Sequence, residues 1–152
     1  MKCFVQTILD CRADQVWVTV QTSSLLLDVI RPLVTLEPVG PDTFPERWIQ
    51  GTSVRCRVYL FGILLLGVHT LELERIDQAS RQIHSRERDL IVRRWDHRIR
   101  IQEISGGRAH YSDEIEIDAG ILTPLVWLFA VGFYRHRQRR WRVIARRLAR
   151  AS

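Results

Sequence analysis

The sequence has little cysteine: Cys3, Cys11 and Cys56 are the only three in 152 residues. None stands in a Cys-x-x-Cys pair or in a cysteine–histidine cluster. So sparse and odd a set argues against a disulfide framework and a zinc site, and suits reduced thiols in a cytosolic protein. Cys56 falls on an apolar strand face, where it packs as a small hydrophobe. Long hydrophobic runs are also missing. The longest covers residues 121–134, whereas a membrane-crossing helix needs about 20 residues. With Thr123, Pro124 and Gly132 inside it, this run reads as a buried helix face. An apolar helix start followed by arginines is also an interfacial pattern, so peripheral membrane contact is a second reading. The first residues lack the basic and apolar regions of a secretory signal. No repeat, low-complexity tract or linker divides the chain, so residues 1–152 are expected to form one domain. No nucleophile motif, phosphate loop or dinucleotide fingerprint is present, and no metal or cofactor is expected.

What is present is ordinary in amount and uneven in placement. Hydrophobic residues make up 46% and charged residues 26%, with a net charge of +6. Residues 135–152 hold eight arginines and no acid. Taking those eight from the 23 basic residues leaves 15 against all 17 acids. The basicity therefore belongs to the C-terminal segment, which disfavours a nucleic-acid surface spread over the whole domain.

Period and punctuation give the element order. Residues 2–9 read as a strand, 13–20 as a short helix, and 25–30 as a second one led by Ser23-Ser24 and stopped by Pro32. A short strand follows at 34–39, then a loop marked by Gly40-Pro41-Asp42 and Pro45. From Gly51 the period becomes two: strands at 54–60, 68–76, 82–92, 94–104 and 110–118, with Gly62 and Gly67 marking a turn or bulge and Ser105-Gly106-Gly107 a hairpin. Strict alternation predicts an antiparallel sheet with one dry and one wet face. Pro124 opens a long final helix. Along it Trp127, Val131, Tyr134, Gln138, Trp141, Ala145 and Leu148 form one mostly apolar stripe, and arginines run down another side.

This order, strand, two helices, antiparallel strands, long helix, resembles the helix-grip fold of the SRPBCC superfamily. That superfamily includes START lipid-binding domains, birch-pollen-allergen-like proteins and polyketide cyclases. Gly51-Thr52-Ser53-Val54 resembles the Gly-Thr-x-Val opening of the third strand in many members. Arg86-Glu87 with Trp95-Asp96-His97, and Phe133-Tyr134-Arg135-His136-Arg137, resemble segments of bacterial members. The resemblance implies an α+β fold: a curved antiparallel sheet of about seven strands, two short N-terminal helices and one long C-terminal helix. It also implies an apolar cavity between sheet and last helix for a hydrophobic small molecule such as a lipid or polyketide.

The residues themselves agree in kind. Val58, Leu71, Leu73, Ile99, Ile101, Ile115 and Ile117 share a face that can be packed core or pocket wall. Polar groups on the same face, His69, His97, Tyr111 and Asp113, with Glu87 if its strand keeps phase, are expected to form a hydrogen-bonded network, because unpaired polar burial is costly. Structural pairing is favoured over catalysis. Together with Trp95, Ile99, Trp127 and Val131 these are the expected ligand contacts. A cyclase/aromatase-like enzyme, dehydratase chemistry included, is the alternative, with His97 or His69 as general acid or base. Arg135, Arg139, Arg142 and Arg146 are read first as a solvated helix face that pairs in part with Glu114, Glu116 and Asp118. Contact with anionic lipid comes second, giving a cytoplasmic protein that is peripheral to the membrane, and nucleic acid comes third.

Overall fold

The structure is a computed structural model and describes residues 1–88 and 92–150. Its elements run β1 (Lys2–Leu9), α1 (Ala13–Val20), α2 (Ser23–Ile30), β2 (Val34–Pro38), β3 (Ser53–Leu60), β4 (Leu64–Asp77), β5 (Gln82–Arg88), β6 (Arg94–Ile104), β7 (Arg108–Asp118) and α3 (Thr123–Arg150). The strands form one antiparallel sheet in the order β1-β7-β6-β5-β4-β3-β2. This is the antiparallel sheet that the residue pattern predicts, in the helix-grip arrangement that the resemblance implies.

Alternation sets the faces. In β6, His97, Ile99 and Ile101 are buried while Arg98 and Arg100 are exposed. The tight β6–β7 turn places Gly106 and Gly107 at φ of 79° and 67°, a left-handed pair that side-chain-bearing residues seldom adopt. The sheet bends at two irregularities. One follows Val58, which faces Gly67 at φ 140°, and the other lies between Leu73 and Arg75. Bulges add local twist and bend the strand that carries them, so the long β4 curls instead of lying flat.

Some boundaries differ from the sequence reading. Helix α2 begins at Ser23, and its cap is Thr22, whose hydroxyl accepts from the Leu25 N–H at 3.3 Å. Ser23 is instead buried and bonds the Pro45 carbonyl. Strand β4 starts at Leu64 and runs through Gly67. The strand expected over 82–92 is described over Gln82–Arg88, and residues 89–91 lie outside the described ones.

The outward acids also have other partners than expected. Glu116 pairs with Arg94 at 3.0 Å and Glu114 with Arg98 at 3.5 Å. Both arginines belong to the neighbouring strand, on the convex face. Helix α3 packs on the concave side, so its arginines cannot reach these acids. Arg146 meets Asp10 instead, at 3.6 Å.

Helix α3 rests on β1, β7 and α2. Strands β2–β5 stand away from it and leave a space. Its buried positions, Ala130, Phe133, Tyr134, Arg137, Gln138, Trp141 and Ala145, form a wider band than the expected stripe. A curved sheet presses on both flanks of the helix, so a single line of positions understates the buried face. Trp127 and Val131 lie on the flank nearer β1, where the Trp127 indole donates to the Lys2 carbonyl at 2.8 Å. Residues 121–134 are the expected buried face only in part, at Ala130, Phe133 and Tyr134. Ile121, Leu122, Leu125, Leu128 and Phe129 are all exposed, Ile121 at 95%.

The cap assignment yields a direct comparison. Thr22→Ala is expected to destabilise the fold by about 1 kcal/mol through loss of the α2 cap. Ser24→Ala should cost less than about 0.5 kcal/mol, since Ser24 is exposed and only bonds the Thr22 hydroxyl. Urea denaturation of the two variants checks the order, and the reverse order would contradict the assignment.

Candidate functional site

The space between α3 and the far half of the sheet is a cavity of about 430 Å³. Its walls are mostly aliphatic and aromatic. Val34 and Leu36 come from β2, Val58 and Leu60 from β3, and Leu66 and Leu71 from β4. Leu26 and Ile30 of α2 and Leu125, Val126, Phe129 and Phe133 of α3 close it. Polar groups reach it at few places: His69, Glu87, Arg88, Trp95, Tyr134 and Arg137.

Of the expected ligand contacts, His69, Glu87 and Trp95 do line this cavity. His97, Ile99, Tyr111 and Asp113 do not. They lie buried behind its wall, where α3 presses on β6 and β7. Trp127 and Val131 are turned toward β1, one helix step from the lining positions.

The network behind the wall centres on Asp113, which is fully buried. Its Oδ1 accepts from His97 Nε2 at 2.8 Å and from the Tyr111 hydroxyl at 3.1 Å. Its Oδ2 accepts from Gln138 Nε2 at 2.9 Å. Burial works against the carboxylate charge, but the hydrogen bonds from His97 and Gln138 and the nearby Arg137 outweigh it. The acid is held below the usual carboxylate range. Burial pushes the His97 pKa down, more than its bond to Asp113 pushes it up. Neutral His97 therefore carries its proton on Nε2, and three neutral donors surround one buried anion. The arrangement is hydrogen-bonded internally, and none of His97, Tyr111, Asp113 and Gln138 lines the cavity.

Arg137 is the residue that sequence reasoning missed. It is 8% exposed and lines the cavity. Its guanidinium lies 4.8 Å from the Tyr134 ring centre and 5.9 Å from that of Phe133. Its Nε has no hydrogen-bond partner, and among the described residues no acid forms a salt bridge with it. The Tyr134 hydroxyl is itself taken by the Trp95 indole at 3.0 Å. A signal for Arg137 was present. It sits three residues after Tyr134 and four before Trp141, on the apolar stripe and not on the arginine side. The other surface candidates, Arg135, Arg139, Arg142 and Arg146, are exposed.

The titration of His97 has a readable consequence. Its native pKa is depressed below 6.5, so below that pH the unfolded chain binds a proton that the native chain refuses. Stability then falls as pH falls. Relative to a His97→Gln variant, which keeps an N–H donor toward Asp113, the wild type should lose up to about 1.4 kcal/mol per pH unit below pH 6.5. Denaturant unfolding between pH 7 and pH 5 measures this, and parallel curves would contradict it.

Comparison with known proteins agrees with this geometry. The chain matches a family described as a domain of unknown function (DUF8410) over residues 7–145. No curated protein matches it. Among solved structures it is similar to a START superfamily protein from Mycobacterium smegmatis, at 12% identity and TM-score 0.70, over 97% of this chain and 98% of that one. It is similar to a truncated norcoclaurine synthase from Thalictrum flavum at 13% identity and TM-score 0.70, over 95% and 92%. The Zhui aromatase/cyclase from Streptomyces sp. R1128 matches at 20% identity and TM-score 0.66, over 97% and 94%. At such identities these likenesses establish the fold. The chain belongs to the DUF8410 family, and its fold is the helix-grip fold.

Proposed function

We propose that residues 1–152 act as one domain that binds a hydrophobic small molecule between the sheet and α3. The observation that carries this reading is the cavity of about 430 Å³ with almost wholly apolar walls. That size lies within the ~300–1,000 Å³ range of small-molecule sites, which are mostly apolar with a few placed polar groups. The similar structures are named as a START protein, a norcoclaurine synthase and an aromatase/cyclase, which supports the class of ligand without choosing among carriers and enzymes. A cyclase that works through His97 and Asp113 is disfavoured, since that pair stands behind the wall and is hydrogen-bonded internally. The free, buried Cys3, Cys11 and Cys56 support a reducing compartment.

One further observation favours contact with a membrane surface at the cavity mouth. The β3–β4 hairpin exposes Phe61, Ile63, Leu64, Leu65, Leu66 and Val68; the turn before α3 exposes Ile121 and Leu122, and the start of α3 exposes Leu125, Leu128 and Phe129. Leu66, Leu125 and Phe129 also line the cavity, so both segments flank one opening. Patches of this extent mark interaction surfaces. Residues 61–70 and 119–134 contain no charged residue, and the exposed Arg93 guanidinium sits beside Gly120. An uncharged apolar collar with a flanking arginine fits a bilayer interface. The arginines of the other helix half, Arg139, Arg142 and Arg146, start ~20 Å or more from Leu125 along the axis at 1.5 Å per residue. The collar is therefore the better docking element.

Two measurements test these readings. Nile red, an uncharged apolar dye, should bind saturably with blue-shifted emission. Leu71→Trp, which fills empty space at the wall, should weaken it at least about tenfold while leaving the circular dichroism unchanged. No saturable binding, or no effect of Leu71→Trp, would overturn the cavity reading. In co-sedimentation with phosphatidylcholine–phosphatidylglycerol vesicles, Ile63→Asp with Leu125→Asp should cut the bound fraction about fivefold or more. Replacing Arg139, Arg142 and Arg146 by Gln should change it less than about twofold. The reverse ranking would move the docking site to the arginine face.

A further inference from the structure

Among the described residues, the interior holds two side chains with a full charge, Asp113 and Arg137, and the protein treats them differently. Asp113 has a complete set of donors. Arg137 has only aromatic faces, with Nε buried and unpartnered. Burying a cation without a contacting anion is costly. An arginine fork also has a planar two-pronged geometry that fits a carboxylate and that an aromatic ring leaves unused. Of the two, Arg137 is the one that reaches the cavity.

The path to it is graded. Along one face of α3 the cavity is lined by Leu125, Val126, Phe129, Phe133, Tyr134 and Arg137 in turn. Leu125 is exposed at the mouth, and Arg137 is buried at the other end. The twelve residue steps from one to the other rise ~18 Å, which accommodates an extended acyl chain of roughly a dozen carbons.

We propose that the ligand is an apolar carboxylic acid, bound with its chain along this face and its carboxylate on the Arg137 guanidinium. The inference rests on the reading of the cavity as a ligand site. One charge balances one charge. A phosphate monoester brings up to two, against a single guanidinium with Glu87 on the same wall and Asp113 behind it, and is disfavoured. Arg88 also lines the cavity but is exposed, where solvent screens it.

The test is displacement of Nile red by dodecanoate, methyl dodecanoate and dodecyl phosphate. Wild type should bind dodecanoate at least about tenfold tighter than its methyl ester. Arg137→Met should abolish that preference while keeping ester affinity within about twofold, and Arg137→Lys should keep part of it. Since among the described residues no carboxylate forms a salt bridge with the guanidinium, and Asp113 and Glu87 act on it only at longer range, Arg137→Met should change the urea midpoint only slightly. If that variant fails to fold, the acid-to-ester ratio in wild type and in Arg137→Lys decides. Equal binding of acid and ester would overturn the carboxylate proposal and leave the apolar site standing. Tighter binding of dodecyl phosphate would overturn the choice of carboxylate. Failure of Nile red and all three competitors would overturn both readings together.

Discussion

A curved seven-stranded sheet cannot be filled by one helix, and the rest of the molecule follows from that mismatch. Bulges near Gly67 and between Leu73 and Arg75 bend the sheet, and α3 settles against β1, β7 and α2. On that side the interior is solid, with Leu9, Ile115, Tyr111, Trp141 and Ala145 almost fully buried. On the other side β2–β5 face the helix across a gap. The gap persists because apolar walls lined by branched and aromatic side chains gain nothing from admitting water. The molecule thus divides into a packed half that supplies stability and an open half that supplies the site.

Helix α3 reads as three successive functions along its 28 residues. Its first turns are apolar and exposed, its middle is the cavity wall, and its last turns carry arginines to solvent while Trp141 and Ala145 anchor it. The middle is where the electrostatics concentrate. Asp113 and Arg137 place one negative and one positive charge in the interior without direct contact. Close pairing of the two would have stabilised the empty protein at the cost of a free cation on the wall. The donors from His97, Tyr111 and Gln138 remove the need for that pairing.

Most of the fold was legible in the sequence, because period two over 94–104 and 110–118 and the spacing of Trp127 to Leu148 are strong signals. Part of the site was legible for the same reason: His97, Tyr111 and Asp113 fall on the inward face and do form a network. What the sequence could not show is depth. Inward-facing residues on β6 and β7 meet the helix, and those on β4 and β5 meet the gap, yet both carry the same alternation. His69 and Glu87 thereby reach the cavity while His97 does not. The first half of the uncharged run at 121–134 was misjudged on similar grounds, since a buried face and an exposed apolar collar have one composition. Arg137 was hidden as one of eight arginines in residues 135–152, and only its helical phase set it apart.

The central claim is that the open half of the fold holds an apolar acid with its head on Arg137. The most direct measurement is a crystal structure of the protein grown with dodecanoate. The account predicts an alkyl chain beside Leu71, Phe129 and Phe133, with its carboxylate at hydrogen-bonding distance, about 2.7–2.9 Å, from the Arg137 guanidinium. A chain bound in the reverse direction, with the carboxylate at the solvent-facing mouth, would contradict it, and so would an interior closed by the protein's own side chains.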